Sequence, residues 1–176
     1  MGEPTCTFTG HRAEKLPWGY NENDPRCRRL KRTLYDTLEA VYESGFHRFI
    51  CGMAEGCDLY FCEAVLALRE DHPDITLEAA VPFAGQAEHW GAAQRQRYEA
   101  LLARCDTVTV LQEHYSPGCM MKRNRYMVDH ADLIIACYDG KAGGTQQRQV
   151  VQDNTVTMNS PSKSFNIAGL GISNII

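Results

Sequence analysis

The chain lacks most of the signatures that assign a protein to a class at sight. Its eight cysteines, at positions 6, 27, 51, 57, 62, 105, 119 and 137, include no C-x-x-C pair, which argues against a zinc ribbon or a thioredoxin-type redox motif. They stand mostly inside apolar runs, where a reduced thiol behaves as a small hydrophobe. No run approaches the ~18 apolar residues of a membrane span, and the amino terminus has no charged, apolar and small-residue tripartite pattern. The expected setting is cytoplasmic, with no membrane partner. A dominant charge is missing too. The 18 Lys and Arg against 22 Asp and Glu leave a net −4 and a pI near 5.8, which gives no overall field drawing the chain to nucleic acid or anionic lipid. The one basic stripe, Arg26, Arg28, Arg29, Lys31 and Arg32, opens a helical pattern and reads as a solvated face. There is no internal repeat, no charge-block tail and no metal-ligand motif.

What is present is an alternation. With 176 residues the chain suits one domain that buries about two thirds of its unfolded surface. Strands are predicted at 5–8, 46–51, 75–81, 107–111 and 132–137. Helices are predicted at 24–44, where Leu30, Leu34, Leu38 and Val41 recur at helical spacing, and at 58–69, 88–104 and 119–130. Strands alternating with helices in this order point to an α/β, Rossmann-like, doubly wound and mostly parallel sheet of five or six strands with helices on both faces. The apolar run Asp132-Leu-Ile-Ile-Ala-Cys137 is its expected central strand. Residues 1–146 form the expected ligand-binding domain. Residues 147–176, rich in Ser, Asn and Gly, form an atypical tail.

Each predicted strand ends in a glycine, proline or polar cluster, and in a parallel sheet all those ends share one edge, where ligands bind. Thr9-Gly10-His11-Arg12 supplies a guanidinium able to pair with phosphate or carboxylate and an imidazole that could donate to the same anion. In Gly52-Met-Ala54-Glu55-Gly56-Cys-Asp58, Asp58 falls at a first helical turn, where it can cap backbone donors or meet a ribose hydroxyl. Glu55 and Asp58 are the candidate catalytic acids or bases. Pro82-Phe83 with Gln86 and Trp90 offers stacking surfaces and an amide for a base edge, or packing beneath a loop. Arg123 and Asn124, in the first turns of a helix starting at the same edge, are candidates for phosphate or ribose. Gly140 to Thr145, with Gly143, Gly144 and Thr145 at its end, follows the most apolar strand and is neither a P-loop nor a dinucleotide fingerprint. Tyr115-Ser-Pro-Gly118 reads as a connecting loop.

Together these residues resemble the SLOG group of Rossmann-like proteins, and within it the YpsA-like family. The resemblance covers about residues 5–145 and rests on Thr9-Gly-His-Arg12, Gly52-x-Ala-x-Gly-x-Asp58, Pro82-Phe83 with Gln86 and Trp90, Met121-x-x-Arg-Asn124 through Asp129, and Gly143-Gly-Thr145. It implies a pocket for nucleotide-derived ligands such as ADP-ribose, NAD or AMP, with Ala54 and the glycines at 10, 52 and 56 among its lining. Its cousins include phosphoribohydrolases and DNA-processing protein A, and its bacterial members are associated with cell division and envelope stress. The phosphoribohydrolases place a Glu shortly after their Gly-Gly-x-Gly-Thr. Here Gln146, Gln147 and Arg148 follow Thr145, so that hydrolysis does not carry over. Separately, residues 155–170 resemble the pyridoxal-phosphate lysine segment of MalY/PatB-type aminotransferases, with Lys163 at the cofactor position. The large domain such an enzyme needs is absent from this sequence, and the tail reads as a fusion or assembly junction near 146–154 with a non-functional Lys163.

The expected function is therefore binding or sensing of a nucleotide-derived ligand, with no required cofactor, no metal and a homodimer as the expected assembly. Two other readings stand beside it: a nucleotide N-glycosidase using Glu55 or Asp58, and a single-stranded nucleic-acid-binding module, against which the net charge argues.

Overall fold

The computed structural model describes residues 2–138 and the strand segments at 155–159 and 166–167. Residues 2–138 supply five parallel strands of the sheet: β1 (Thr5–Gly10), β2 (Arg48–Cys51), β3 (Thr76–Val81), β4 (Thr107–Val110) and β5 (Leu133–Tyr138). From the tail, β6 (Thr155–Asn159) pairs parallel with β5, and β7 (Asn166–Ile167) pairs antiparallel with β6. The order is β4-β3-β2-β1-β5-β6-β7. The chain thus winds outward from β1 to β4, then crosses back to lay β5 on the other side of β1. That reversal makes the carboxyl ends of β1 and β5 the switch point of the sheet, where a crevice opens.

Helix α1 (Pro25–Glu43) begins with Asp24 accepting the Arg26 N–H at 2.8 Å, and Pro25 sits where its missing N–H costs nothing. Its buried stripe is Cys27, Leu30, Leu34, Leu38 and Val41, the predicted i, i+3/i+4 series. It stops where Gly45, at φ 100°, donates to the Tyr42 carbonyl. Helix α2 (Cys57–Asp71) is buried almost all round, because α1 and α3 (Ala92–Arg104) flank it. The sequence predicts the third helix from Glu88. It starts at Ala92 because residues 83–90 are consumed in successive turns, with Gln86, Glu88 and Trp90 donating to carbonyls three residues back. The first strand also runs two residues beyond its predicted end, since Thr9 and Gly10 pair with Ala136 and Cys137.

Alternate residues of the strands point to opposite faces. Phe8, Phe49, Leu77, Ala79, Leu133 and Ile135 join α1, α2 and α3 in one large core, where Phe8 stacks on Phe61 at 4.9 Å. Each of the Phe, Leu and Ile side chains contributes ~1.5–3 kcal/mol by leaving water. Ile50 and Ala80 face the other way and meet Met127 and Tyr126 of α4 (Cys119–Asp129). Helices therefore cover both faces, as predicted, and α4 is the crossover that creates the switch point.

Candidate functional site

The loops leaving β1 and β2 are pressed together at the carboxyl edge, and the glycines make that contact possible. Gly56 sits at φ 90°, and a Cβ there would come within 2.5 Å of the Ala13 nitrogen and 2.9 Å of the His11 carbonyl oxygen. Only glycine fits both the conformation and the space. The contact is sealed by the Cys57 N–H, which donates to the His11 carbonyl at 3.1 Å. Met53, fully buried, takes φ 58° without being glycine. Backbone so held costs ~1–3 kcal/mol and persists only when its surroundings impose it. Its carbonyl accepts from the Gln86 amide at 2.9 Å.

Behind this loop lies a buried polar cluster. Arg123 is 5% exposed, donates from Nη1 to the Gly52 carbonyl at 2.7 Å, and donates from Nε and Nη2 to the Asn124 side-chain oxygen. A Cβ on Gly52 would stand 2.9 Å from Asp58 Oδ2 and 3.0 Å from the Arg123 guanidinium carbon. Asp58, also 5% exposed, accepts the Ala54 N–H at 3.2 Å and lies 4.0 Å from Arg123. Burial pushes the Arg123 pKa down while the Asp58 carboxylate pushes it up. Gly52, Asp58, Arg123 and Asn124 are thus brought together, and their described hydrogen bonds hold the loop in shape.

In front of the loop, Arg12, Ala54, Glu55, Gln86, Trp90 and Met120 line a pocket of about 40 Å³. Five of these six are sequence-predicted site residues. Arg12 is exposed, and its side chain makes no hydrogen bond or ion pair with another described residue. Glu55 is half-buried and accepts the Tyr20 hydroxyl at 2.8 Å. Gln86 is buried, and its Oε1 has no hydrogen-bond partner among the described residues. Trp90 packs edge-on to Tyr98 at 5.2 Å. The volume is small against the ~300 Å³ of a drug-sized site.

Pro82 is buried and Phe83 half-buried at the margin, where Phe83 meets Tyr115 edge-on at 5.6 Å. Thr9 and Gly10 belong to strand β1, and His11 contributes its carbonyl to the loop contact. Gly143, Gly144, Thr145 and Lys163 lie outside the described residues. Met120, Tyr20 and Tyr115 are additions that no spacing announces. Tyr20 and Tyr115 reach the site through connections between elements and Met120 from the first turn of α4, and Tyr115 belongs to the segment read as a plain connecting loop. Among the described residues no three His, Cys, Asp or Glu side chains gather as a metal site, and no helix is long and apolar enough to cross a membrane.

Comparison with known proteins agrees with this architecture. The model of the YpsA family, described as the YspA SLOG family, matches residues 6–168. An uncharacterized SPbeta prophage-derived protein, YoqJ, of Bacillus subtilis strain 168 is 34% identical over 136 residues, which cover 70% of this chain and 80% of that protein. A UPF0398 protein of Bacillus pumilus is 26% identical over 140 residues, covering 78% of this chain and 75% of its own length. Another, from Halalkalibacterium halodurans, is 27% identical over 141 residues, covering 79% and 74%.

Proposed function

The chain belongs to the YpsA family, described as the YspA SLOG family, and from that premise we propose that it binds or senses a nucleotide-derived ligand at the carboxyl edge of its sheet. ADP-ribose, NAD and nucleoside monophosphates are the ligand class. The observation that supports this most directly is Arg12. Its guanidinium opens into a pocket with Gln86 and Trp90 and has no hydrogen-bond partner among the described residues. Arg12 takes the phosphate through paired hydrogen bonds, Trp90 offers a stacking face, and Ala54 lets the ligand approach the loop. The buried Asp58–Arg123 cluster keeps that loop in its binding shape.

Thermal unfolding with ADP-ribose, NAD, AMP and cyclic nucleotides tests the proposal. A ligand at 100 times its Kd adds about 2.7 kcal/mol of stability, a rise of several degrees in Tm for a chain of this size. At the same ligand concentration the gain should fall to about 0.4–1.4 kcal/mol in Arg12→Gln. No shift with any of these at millimolar concentration overturns the reading.

One observation favours a second reading, a nucleotide N-glycosidase. Glu55 lines the same pocket and is oriented by the Tyr20 hydroxyl, as a residue that activates water would be. Release of free base from nucleoside monophosphates that is abolished by Glu55→Gln supports it. Release unchanged by that substitution sinks it.

A further inference from the structure

Gln86 lines the pocket in front of the β2 loop and is anchored by both its main chain and its side chain. Its backbone N–H donates to the Phe83 carbonyl at 3.2 Å, and its Nε2 donates to the Met53 carbonyl at 2.9 Å. The second bond also fixes which way the amide faces. Turned over, the amide would set Oε1 against the Met53 carbonyl, acceptor against acceptor. Oε1 is therefore the free end, and it belongs to a side chain in a residue only 7% exposed. Among the described residues it is the one buried side-chain nitrogen or oxygen left without a hydrogen-bond partner. Buried polar groups are otherwise paired, so this oxygen marks where a donor from outside the chain belongs.

Resting on the nucleotide reading above, we propose that Gln86 Oε1 accepts a hydrogen bond from a ribose hydroxyl, so that the site selects ribonucleotides over their deoxy counterparts. The polar lining divides the pocket by chemistry. Arg12 offers only donors, whereas the free end of Gln86 and the Glu55 carboxylate offer only acceptors. Glu55 Oε2 is taken by the Tyr20 hydroxyl at 2.8 Å, and its Oε1 has no hydrogen-bond partner among the described residues. Phosphate oxygens are acceptors too, so they are drawn to Arg12 and repelled by Gln86 and Glu55. A cation on the acceptor side would meet Arg12 in the same small space. The group that fits is neutral and donates, and a ribose carries vicinal hydroxyls of that kind close to its phosphate.

Size supports the same choice. A single water needs ~10–15 Å³, so a pocket of about 40 Å³ has room for a pair of hydroxyls and not for a purine ring, which is left to Trp90 at the margin. The selectivity follows from the unpaired acceptor. A ligand hydroxyl that meets Oε1 gives it the partner the chain withholds, whereas a deoxy analogue covers it and leaves it unsatisfied. A site built around a buried polar group rejects a ligand lacking the matching hydroxyl far more strongly than an apolar pocket rejects a missing methylene.

Calorimetric titration of the unaltered chain with AMP, 2′-deoxy-AMP and 3′-deoxy-AMP tests the assignment. AMP should bind about tenfold to a hundredfold more tightly than one of the two deoxy compounds, the range expected when one buried acceptor is left unpaired. In Gln86→Leu, which has no acceptor, the ratio between AMP and that compound should fall to about one. A merely structural role would weaken both ligands by the same factor and preserve their ratio, and that result overturns the proposal. Because Gln86→Leu also takes the donor away from the Met53 carbonyl, the comparison of ligands on the unaltered chain is the deciding measurement. Equal affinity for AMP and both deoxy compounds there overturns the hydroxyl contact. If AMP does not bind while ADP-ribose or NAD still raises Tm, this inference falls and the nucleotide reading stands. If none of them binds, both fall.

Discussion

Arg12 and Arg123 stand at the same edge of the sheet, and the sequence offers both as phosphate ligands, yet they are placed for different tasks. Arg123 is 5% exposed and its donors are taken up by the Gly52 carbonyl and the Asn124 side chain. Arg12 is exposed beside the pocket, with no described hydrogen-bond partner. A buried charge whose hydrogen bonds are satisfied fixes the backbone that satisfies it, and removing it strands its partners. A charge left in water at a cavity mouth contributes little to folding and keeps its donors for a ligand. The lesson is that an arginine near a glycine loop marks the loop. Burial decides whether it builds the loop or uses it.

The largest expected effect falls on the buried member. Arg123→Met leaves Asp58 and the Gly52 carbonyl without their partner and should cost about 3–5 kcal/mol in urea unfolding. A loss below about 1 kcal/mol would make the two arginines equivalent and undo the contrast. Next is Gly56→Ala, which forces a Cβ onto φ 90° and to within 2.5 Å of the Ala13 nitrogen. We expect about 3 kcal/mol of destabilisation, together with loss of ligand response, because both loops must shift. Arg12→Gln should leave the unfolding midpoint nearly unchanged while weakening ligand affinity about tenfold to a hundredfold, the worth of one charged hydrogen-bond pair, as read by calorimetric titration. Equal losses of stability and affinity would show Arg12 to be structural.

A third arginine marks the middle of the scale. Arg97, half-buried, bridges Glu22 and Glu63. Burial pushes the Glu22 carboxyl up, but hydrogen bonds from Arg97 and Lys31 outweigh it and hold the pKa below the usual glutamate range. A depressed carboxyl pKa gives stability that is present above the unfolded value and is lost as pH falls through the folded one. Glu22→Gln should therefore remove under about 1 kcal/mol near neutral pH and nothing at strongly acid pH, as measured by unfolding across the acid range. Asp24, held at about 2 by side-chain and backbone hydrogen bonds from Arg26, should add a later acid loss in the same direction.

Much of the fold was legible because its signals are local. The Leu30–Leu34–Leu38–Val41 stripe and the Asp24-Pro25 start delimit α1 to within a residue, and the apolar runs before each glycine cluster are the parallel strands. The start of α3 was not legible, because turns at 83–90 outcompete helix in a segment whose composition allows both. For the site, sequence placed Arg12, Ala54, Glu55, Gln86 and Trp90 at strand ends, and three loops of one edge brought them to one pocket. It could not separate them from Asp58, Arg123 and Asn124, since exposure is set by neighbours remote in the chain. Tyr20 and Met120 carry no motif and reach the pocket only through the loop after β1 and the start of α4.

The sequence by itself determined the alternation of strands and helices, the parallel sheet this alternation requires, and the edge where its glycine and polar clusters collect, because periodicity and turn residues act over a few positions. Tertiary structure alone decided which polar groups at that edge are buried and which remain at a pocket. It also set the Gln86 amide against the Met53 carbonyl of another loop, because packing brings together residues that spacing cannot relate.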